Sequence, residues 1–209
     1  MFITDRHRSK GRDNLTVIRA ALEGGIRLIQ YREPDLSDNE FYGECLKIKE
    51  LCDEVGASLI INGRLDVAAL VRAPGLHLGK NGLPLRVIKE YMGDDFIVGY
   101  SAHTIEEAIT AAWEGADYIS FSPIFRLAHK DSPFNPHGIE GAKKAISKIK
   151  VPVFLLGGIH ISDLKDLTGA ISPLRIAAVS MISEADDIKA AAEEATGILV
   201  SAMMHGPRD

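Results

Sequence analysis

"VPVFLLGGIHISDLKDL", Val151 to Leu167, is the stretch that decides the fold. Its first residues are β-branched and apolar with no polar alternation, the pattern of a strand buried on both faces. Gly157 and Gly158 end that run, and "ISDLKDL" then takes up helical spacing. The unit is a strand, a glycine turn and a helix. Working towards the amino terminus, the same unit recurs. "DYISFSPIF" leads across the longest loop to "GIEGAKKAISKI", and "FIVGYSA" leads into "TIEEAITAAWEG", where Thr104 and Glu107 have capping-box spacing. "GLHL" precedes "LPLRVIKEYM" and "SLIIN" precedes "LDVAALV". "IRLIQY" precedes a helix capped by Ser37 or Asp38 and running to about Val55, and "FIT" precedes a helix from about Asn14 to Glu23. Beyond the quoted stretch, "RIAAVSMI" precedes "ADDIKAAAEEATGILV".

Eight strand–helix units with no Pro/Ser-rich linker between them predict one α/β domain over residues 1–209, a (β/α)8 TIM barrel. A doubly wound open sheet is the alternative. The net charge of −5 offers no basic footprint for nucleic acid. No apolar run is long enough to span a membrane, and "MFITD" lacks the pattern of a signal peptide, so a cytoplasmic location is expected. Cys45 and Cys52 lie seven positions apart on one expected helix, about 10 Å of rise, which is too far for a disulfide and lacks metal-site spacing.

In a barrel the ligand sits at the carboxyl ends of the strands. Gln30 and Arg32 follow the second strand, Asn62 and Arg64 the third, Lys80 the fourth and Ser101 the fifth. His129 and Lys130 lie in the long loop from Arg126 to Gly138, and Gly157, Gly158, Val179 and Ser180 follow the last two strands. This mouth is rich in cations and nearly bare of carboxylates, so it suits an anion. Glycines and small residues after the last two strands are the usual barrel place for a phosphate held by main-chain N–H groups. Gly157 and Gly158 alone would suit a tight turn equally well, but "AVSMI" one unit later favours the phosphate. His77 in "GLHLG" reads as a buried histidine with its hydrogen bonds satisfied, and His129, beside Lys130, is the favoured acid or base.

"FITDR", "GGIRLIQYRE", "INGRLDVAAL", "GLHLG", "GYSAHTIEEA", "GADYISFSPIF", "VPVFLLGGI" and "AVSMI", in that order over nearly the whole chain, resemble the thiamine phosphate synthase family, which includes thiazole tautomerases. The resemblance implies a synthase that joins hydroxymethylpyrimidine diphosphate to a thiazole phosphate, with Mg²⁺ and cations stabilising the departing diphosphate. It assigns pyrimidine and diphosphate contacts to Gln30 and Arg32. It matches Asn62, Ser101 and Lys130 to motif positions, and makes Gly157, Gly158, Val179 and Ser180 a cradle for the thiazole phosphate. The family's magnesium aspartates are replaced by Gly63 and Gly82, so Mg²⁺ and any other cofactor are not expected. Pro34 stands in place of a family lysine, and Pro123 in place of the histidine of the tautomerase branch.

With the cradle retained and the metal ligands missing, the expected activity is a metal-independent, tautomerase-like isomerisation of a thiazole phosphate, with His129 as base. The alternatives are a synthase with a rebuilt diphosphate site and a non-catalytic paralogue. The expected partner is a phosphorylated small molecule, with no nucleic acid or membrane, and with homo-oligomerisation open.

Overall fold

The computed structural model describes residues 1–127 and 133–205. The strands and helices alternate as β1 (Phe2–Ile3), α1 (Asn14–Glu23), β2 (Leu28–Tyr31), α2 (Asp38–Glu54), β3 (Ser58–Asn62) and α3 (Leu65–Leu70). They continue as β4 (Gly75–Leu78), α4 (Leu85–Met92), β5 (Ile97–Ala102), α5 (Ile105–Trp113), β6 (Tyr118–Phe121), α6 (Gly138–Lys148) and β7 (Val153–Leu155). α7 (Leu164–Ala170), α8 (Ser180–Ser183) and α9 (Ile188–His205) complete the chain. The strands form one curled, parallel sheet of seven in the order β1 to β7, each paired with its neighbour in sequence. This consecutive order disposes of the doubly wound alternative, whose strand order reverses partway.

The eighth expected strand, in "RIAAVSMI", is present only as two isolated parallel bridges, Leu155 with Ile176 and Phe2 with Ala178. Its neighbours are short: β1 has two residues and β7 three, which leaves room for little ladder on either side. Hydrogen bonds still reach both edges. Ala177 N–H donates to the Leu155 carbonyl at 2.9 Å, and Ile3 N–H donates to that of Ala178 at 2.8 Å.

Because side chains alternate along a strand, register assigns each residue to a face. Ile29, Tyr31, Leu59, Ile61, Leu76, Leu78, Val98, Ile119 and Phe121 share the face that packs against the helices, and all are buried in one continuous core. The other face follows the registers Asn62–His77, His77–Gly99, Gly99–Tyr118 and Ser101–Ser120, and is largely polar. The polar residues of these strands thus gather on the sheet's concave side.

Two helix starts follow from local chemistry. Ser37 caps α2 in a full capping box, with Glu40 N–H donating to Ser37 Oγ at 3.4 Å and Ser37 N–H to Glu40 Oε2 at 3.1 Å. At α5 only half the expected box forms. Thr104 Oγ1 accepts from Glu107 N–H at 3.1 Å, but the Glu107 carboxylate accepts the N–H of His103 at 2.8 Å instead. Cys45 and Cys52 are buried and unpaired on α2, and burial pushes their thiols up to about 12 and about 11, which makes them inert. Among the described residues no helix is long and apolar enough to cross a membrane.

Candidate functional site

A connected set of polar side chains lies on the concave face at the carboxyl end of the sheet. Gln30 on β2 is buried, and its Oε1 accepts from Asn62 Nδ2 on β3 at 3.1 Å. That bond orients the carboxamide, turning its NH₂ towards Met1 Sδ, 3.7 Å away, and the Tyr118 phenol. His77 on β4 bridges two strands, with Nδ1 2.9 Å from Tyr118 Oη and Nε2 2.8 Å from Ser101 Oγ. His77 is a satisfied, buried histidine, as its sequence context suggests. Burial first, and then the nearby charge of Arg32, push its ring down to about 3, so it is neutral at ordinary pH.

Tyr118 reaches His77 only because Gly99 has no side chain. A Cβ at Gly99 would stand 2.0 Å from Tyr118 Cζ and 2.4 Å from Oη. Sequence reading overlooked Tyr118, although a glycine in mid-strand marks a place where another group comes close.

The cations have different fates. Arg32 is exposed, its backbone held by Thr4, whose Oγ1 accepts from Arg32 N–H at 2.9 Å. Its guanidinium makes no hydrogen bond or ion pair among the described residues, and the same holds for exposed Lys80. Arg64 is engaged elsewhere. It donates to Asp66 through Nε at 3.0 Å and Nη2 at 2.7 Å, and to Asp38 through Nη1 at 2.8 Å, while lying over the Phe41 ring. Two carboxylates on helices α2 and α3 hold it, and neither is predictable from strand-end position alone.

A cavity of about 220 Å³ opens beside Asn62, Gly63 and Arg64, closed on its other side by Glu33, Pro34, Leu36 and Phe41. Glu33 is buried; its Oε2 accepts from Arg6 N–H at 3.1 Å, while Oε1 has no hydrogen-bond partner among the described residues. Burial raises its carboxyl above the usual glutamate value.

Gly63 adopts φ +73°, and a Cβ there would meet nothing within 4 Å. Space for a carboxylate exists, but no side chain fills it. Gly82 is tighter, since a Cβ there would lie 2.8 Å from Leu78 Cδ2 and 3.1 Å from the Gly79 oxygen. Asp38 and Asp66, which flank Arg64, are committed to it. Among the described residues no three His, Cys, Asp or Glu side chains gather as a metal-binding group. The donors present do not fit the family's two-aspartate magnesium site.

Gly157 and Gly158 follow β7 with φ +96° and +69°. The pair is also needed for packing, since a Cβ at Gly158 would lie 2.6 Å from the Arg126 oxygen and 2.7 Å from the Phe125 carbonyl. Among the described residues the N–H groups of Gly157, Gly158 and Ser180 donate to no backbone acceptor, and Val179 and Ser180, both half-buried, follow the eighth segment in chain order. His129 and Lys130 lie outside the described residues. His103 and His137 are tied into the rim instead: His103 Nδ1 sits 2.9 Å from the Ser122 carbonyl, and His137 Nε2 donates to the His103 carbonyl at 3.0 Å.

Together the fold and the site define a parallel α/β protein of the strand–helix repeat class, with its polar groups and free cations at the carboxyl end of the sheet. The thiamine monophosphate synthase family model matches residues 1–197, and the chain belongs to that family. It is 41% identical over 180 residues to the thiamine-phosphate synthase of Caldicellulosiruptor saccharolyticus, covering 86% of this chain and 81% of the relative. The thiamine-phosphate synthase of Caldicellulosiruptor bescii is 39% identical, with 92% and 88% covered. Among solved structures, the thiamine phosphate pyrophosphorylase of Pyrococcus furiosus superposes with a TM-score of 0.87 at 31% identity, covering 97% and 95% of the two chains. A 3-hexulose-6-phosphate synthase, at TM-score 0.69 and 16% identity, shares the fold alone.

These relatives overturn the expectation of a tautomerase-like isomerase, because they carry the synthase name over most of their length. Two missing carboxylates, at Gly63 and Gly82, do not by themselves change the reaction. Their loss removes metal ligands without supplying an acid or base, and Pro123 stands where the tautomerase branch has its histidine.

Proposed function

We propose that this chain is a thiamine-phosphate synthase. The reading rests first on the 41% and 39% identity to relatives of that name. In the proposed reaction the bond between the pyrimidine methylene and the diphosphate oxygen breaks, and the electron pair leaves with diphosphate. The thiazole nitrogen then bonds to the pyrimidine-methyl cation. Catalysis of this kind is electrostatic, so the groups that matter are those placed where charge develops.

Gln30, Asn62 and Ser101 would hold the pyrimidine, with Gln30 and Asn62 pre-oriented by their mutual hydrogen bond. Arg32 and Lys80, uncommitted among the described side chains, would take the departing diphosphate. Lys130 joins them on motif position alone. Arg64 contributes by shaping the cavity wall, since three of its five N–H groups are already given to Asp38 and Asp66. The amides of Gly157, Gly158, Val179 and Ser180 would bind the thiazole phosphate. The segment 176–178, bonded to both β7 and β1, reads as the eighth stave of a closed (β/α)8 barrel, which would bring that cradle beside β1 and β2.

Because the side chains do not fit the two-aspartate magnesium site, this reading gives the diphosphate's charge to the cations. The test is to incubate purified protein with the pyrimidine diphosphate and thiazole phosphate, with Mg²⁺ or with chelator, and measure thiamine phosphate. Product is expected in both. No product in either condition refutes the synthase reading, and strict Mg²⁺ dependence refutes the replacement of metal by cations.

A further inference from the structure

We propose that Tyr118 and His77 are positioning residues that fix Ser101 as a hydrogen-bond donor towards the bound ligand. The inference rests on the synthase reading for the identity of that ligand, while the polarity itself follows from the hydrogen-bond inventory of the concave face.

Consider the phenol first. Tyr118 Oη is buried, and the groups at hand are His77 Nδ1, 2.9 Å away, and the carboxamide of Gln30. Gln30 Oε1 is taken by Asn62 Nδ2 at 3.1 Å, so the side facing the phenol is the NH₂, which can only donate. The phenolic proton therefore has one acceptor, His77 Nδ1. If Nδ1 carried a proton instead, it and the phenolic proton would compete for one line of contact, and a buried O–H would be left unpaired.

The rest follows from the imidazole. A neutral ring has one N–H, and with Nδ1 as acceptor the proton belongs on Nε2. Nε2 then donates to Ser101 Oγ, 2.8 Å away. With its oxygen receiving that bond, Ser101 keeps its own O–H for something else, and no described side chain takes it. Ser101 is half-buried near the end of β5, at the mouth of the sheet. The line from Tyr118 through His77 to Ser101 thus runs one way and ends in a donor. Such a donor suits a ligand presenting an acceptor there, an sp² ring nitrogen or an anionic oxygen.

The experiment is a long-range ¹H–¹⁵N spectrum of the ligand-free protein near neutral pH, with His77 assigned through the backbone. The expected result is the tautomer protonated on Nε2; a ring protonated on Nδ1 overturns the proposal. In Tyr118→Phe the Nδ1-protonated form should appear, and kcat/KM for thiamine phosphate formation should fall about tenfold. Combining Tyr118→Phe with Ser101→Ala should cost little beyond Ser101→Ala alone. Fully multiplicative losses would mean that Tyr118 does not act through Ser101, and would also overturn the proposal. If the protein forms no thiamine phosphate, the synthase reading fails, while the wild-type spectrum still decides the polarity. The same spectrum suffices if Tyr118→Phe does not fold.

Discussion

Replacing Gly99 by alanine probes the closest contact on the concave face. The new methyl would stand 2.0 Å from Tyr118 Cζ and 2.4 Å from both Cε1 and Oη, where an ordinary contact is 3.4–4 Å. The ring must therefore retreat by about 1.5 Å, and it is hemmed in by His77 on one side and Phe154 on the other, with ring centroids 5.4 Å away in each case. Overpacking of this kind costs about 1–3 kcal/mol. Retreat also breaks the 2.9 Å bond to His77, leaving two buried polar groups unpaired at a further cost of about 1–3 kcal/mol. The sum, about 2–6 kcal/mol, is a large share of the 5–15 kcal/mol typical of a whole domain. Equilibrium urea denaturation should show that loss as a lower midpoint with little change in slope. The double variant Gly99→Ala/Tyr118→Leu should recover part of it, because the methyl then occupies the space the ring gave up. A Gly99→Ala protein within about 0.5 kcal/mol of its parent would refute the packing derived for this face.

Gly158→Ala should cost about 3 kcal/mol or more by the same assay. Its φ of +69° already disfavours a side chain by about 1–2 kcal/mol, and the atoms a Cβ would meet belong to the Phe125 and Arg126 backbone, which cannot rotate aside. A loss below about 1 kcal/mol would show that the turn after β7 relaxes freely. Glu33→Gln should stabilise the protein at neutral pH. Burial raises the folded carboxyl above its ordinary value of 4.5, so the folding advantage of the protonated acid is complete below that value and fades as pH rises through the raised one. Glutamine keeps the acceptor for Arg6 N–H without the charge. Urea midpoints of the two proteins should converge below about pH 4, and a gap that widens in acid would reverse the assigned direction.

The relation between sequence and structure differs from residue to residue. The strand–helix alternation, the bounds of α1 and a cap for α2 at Ser37 or Asp38 were legible because each depends on neighbours within a few positions. The mouth was legible too, as a consequence of alternation: once strands run parallel, their carboxyl ends share one side. So Gln30, Asn62 and Ser101 could be named before their contacts were known. Arg64 looked like a ligand-facing cation by position, but Asp38, 26 residues away, meets it across a loop. The missing aspartates at positions 63 and 82 suggested a change of reaction, which kinship over the whole chain corrected.

By itself, then, the amino-acid sequence determined the repeat, the parallel order and the polar character of the strand ends, since periodicity and caps are local. Only the tertiary structure decided how those polar groups pair. Gly99 and Tyr118 lie 19 positions apart in sequence, yet they fall opposite one another in the β5–β6 register. The absent side chain of one lets the other reach His77 from two strands away, and His77 in turn meets Ser101.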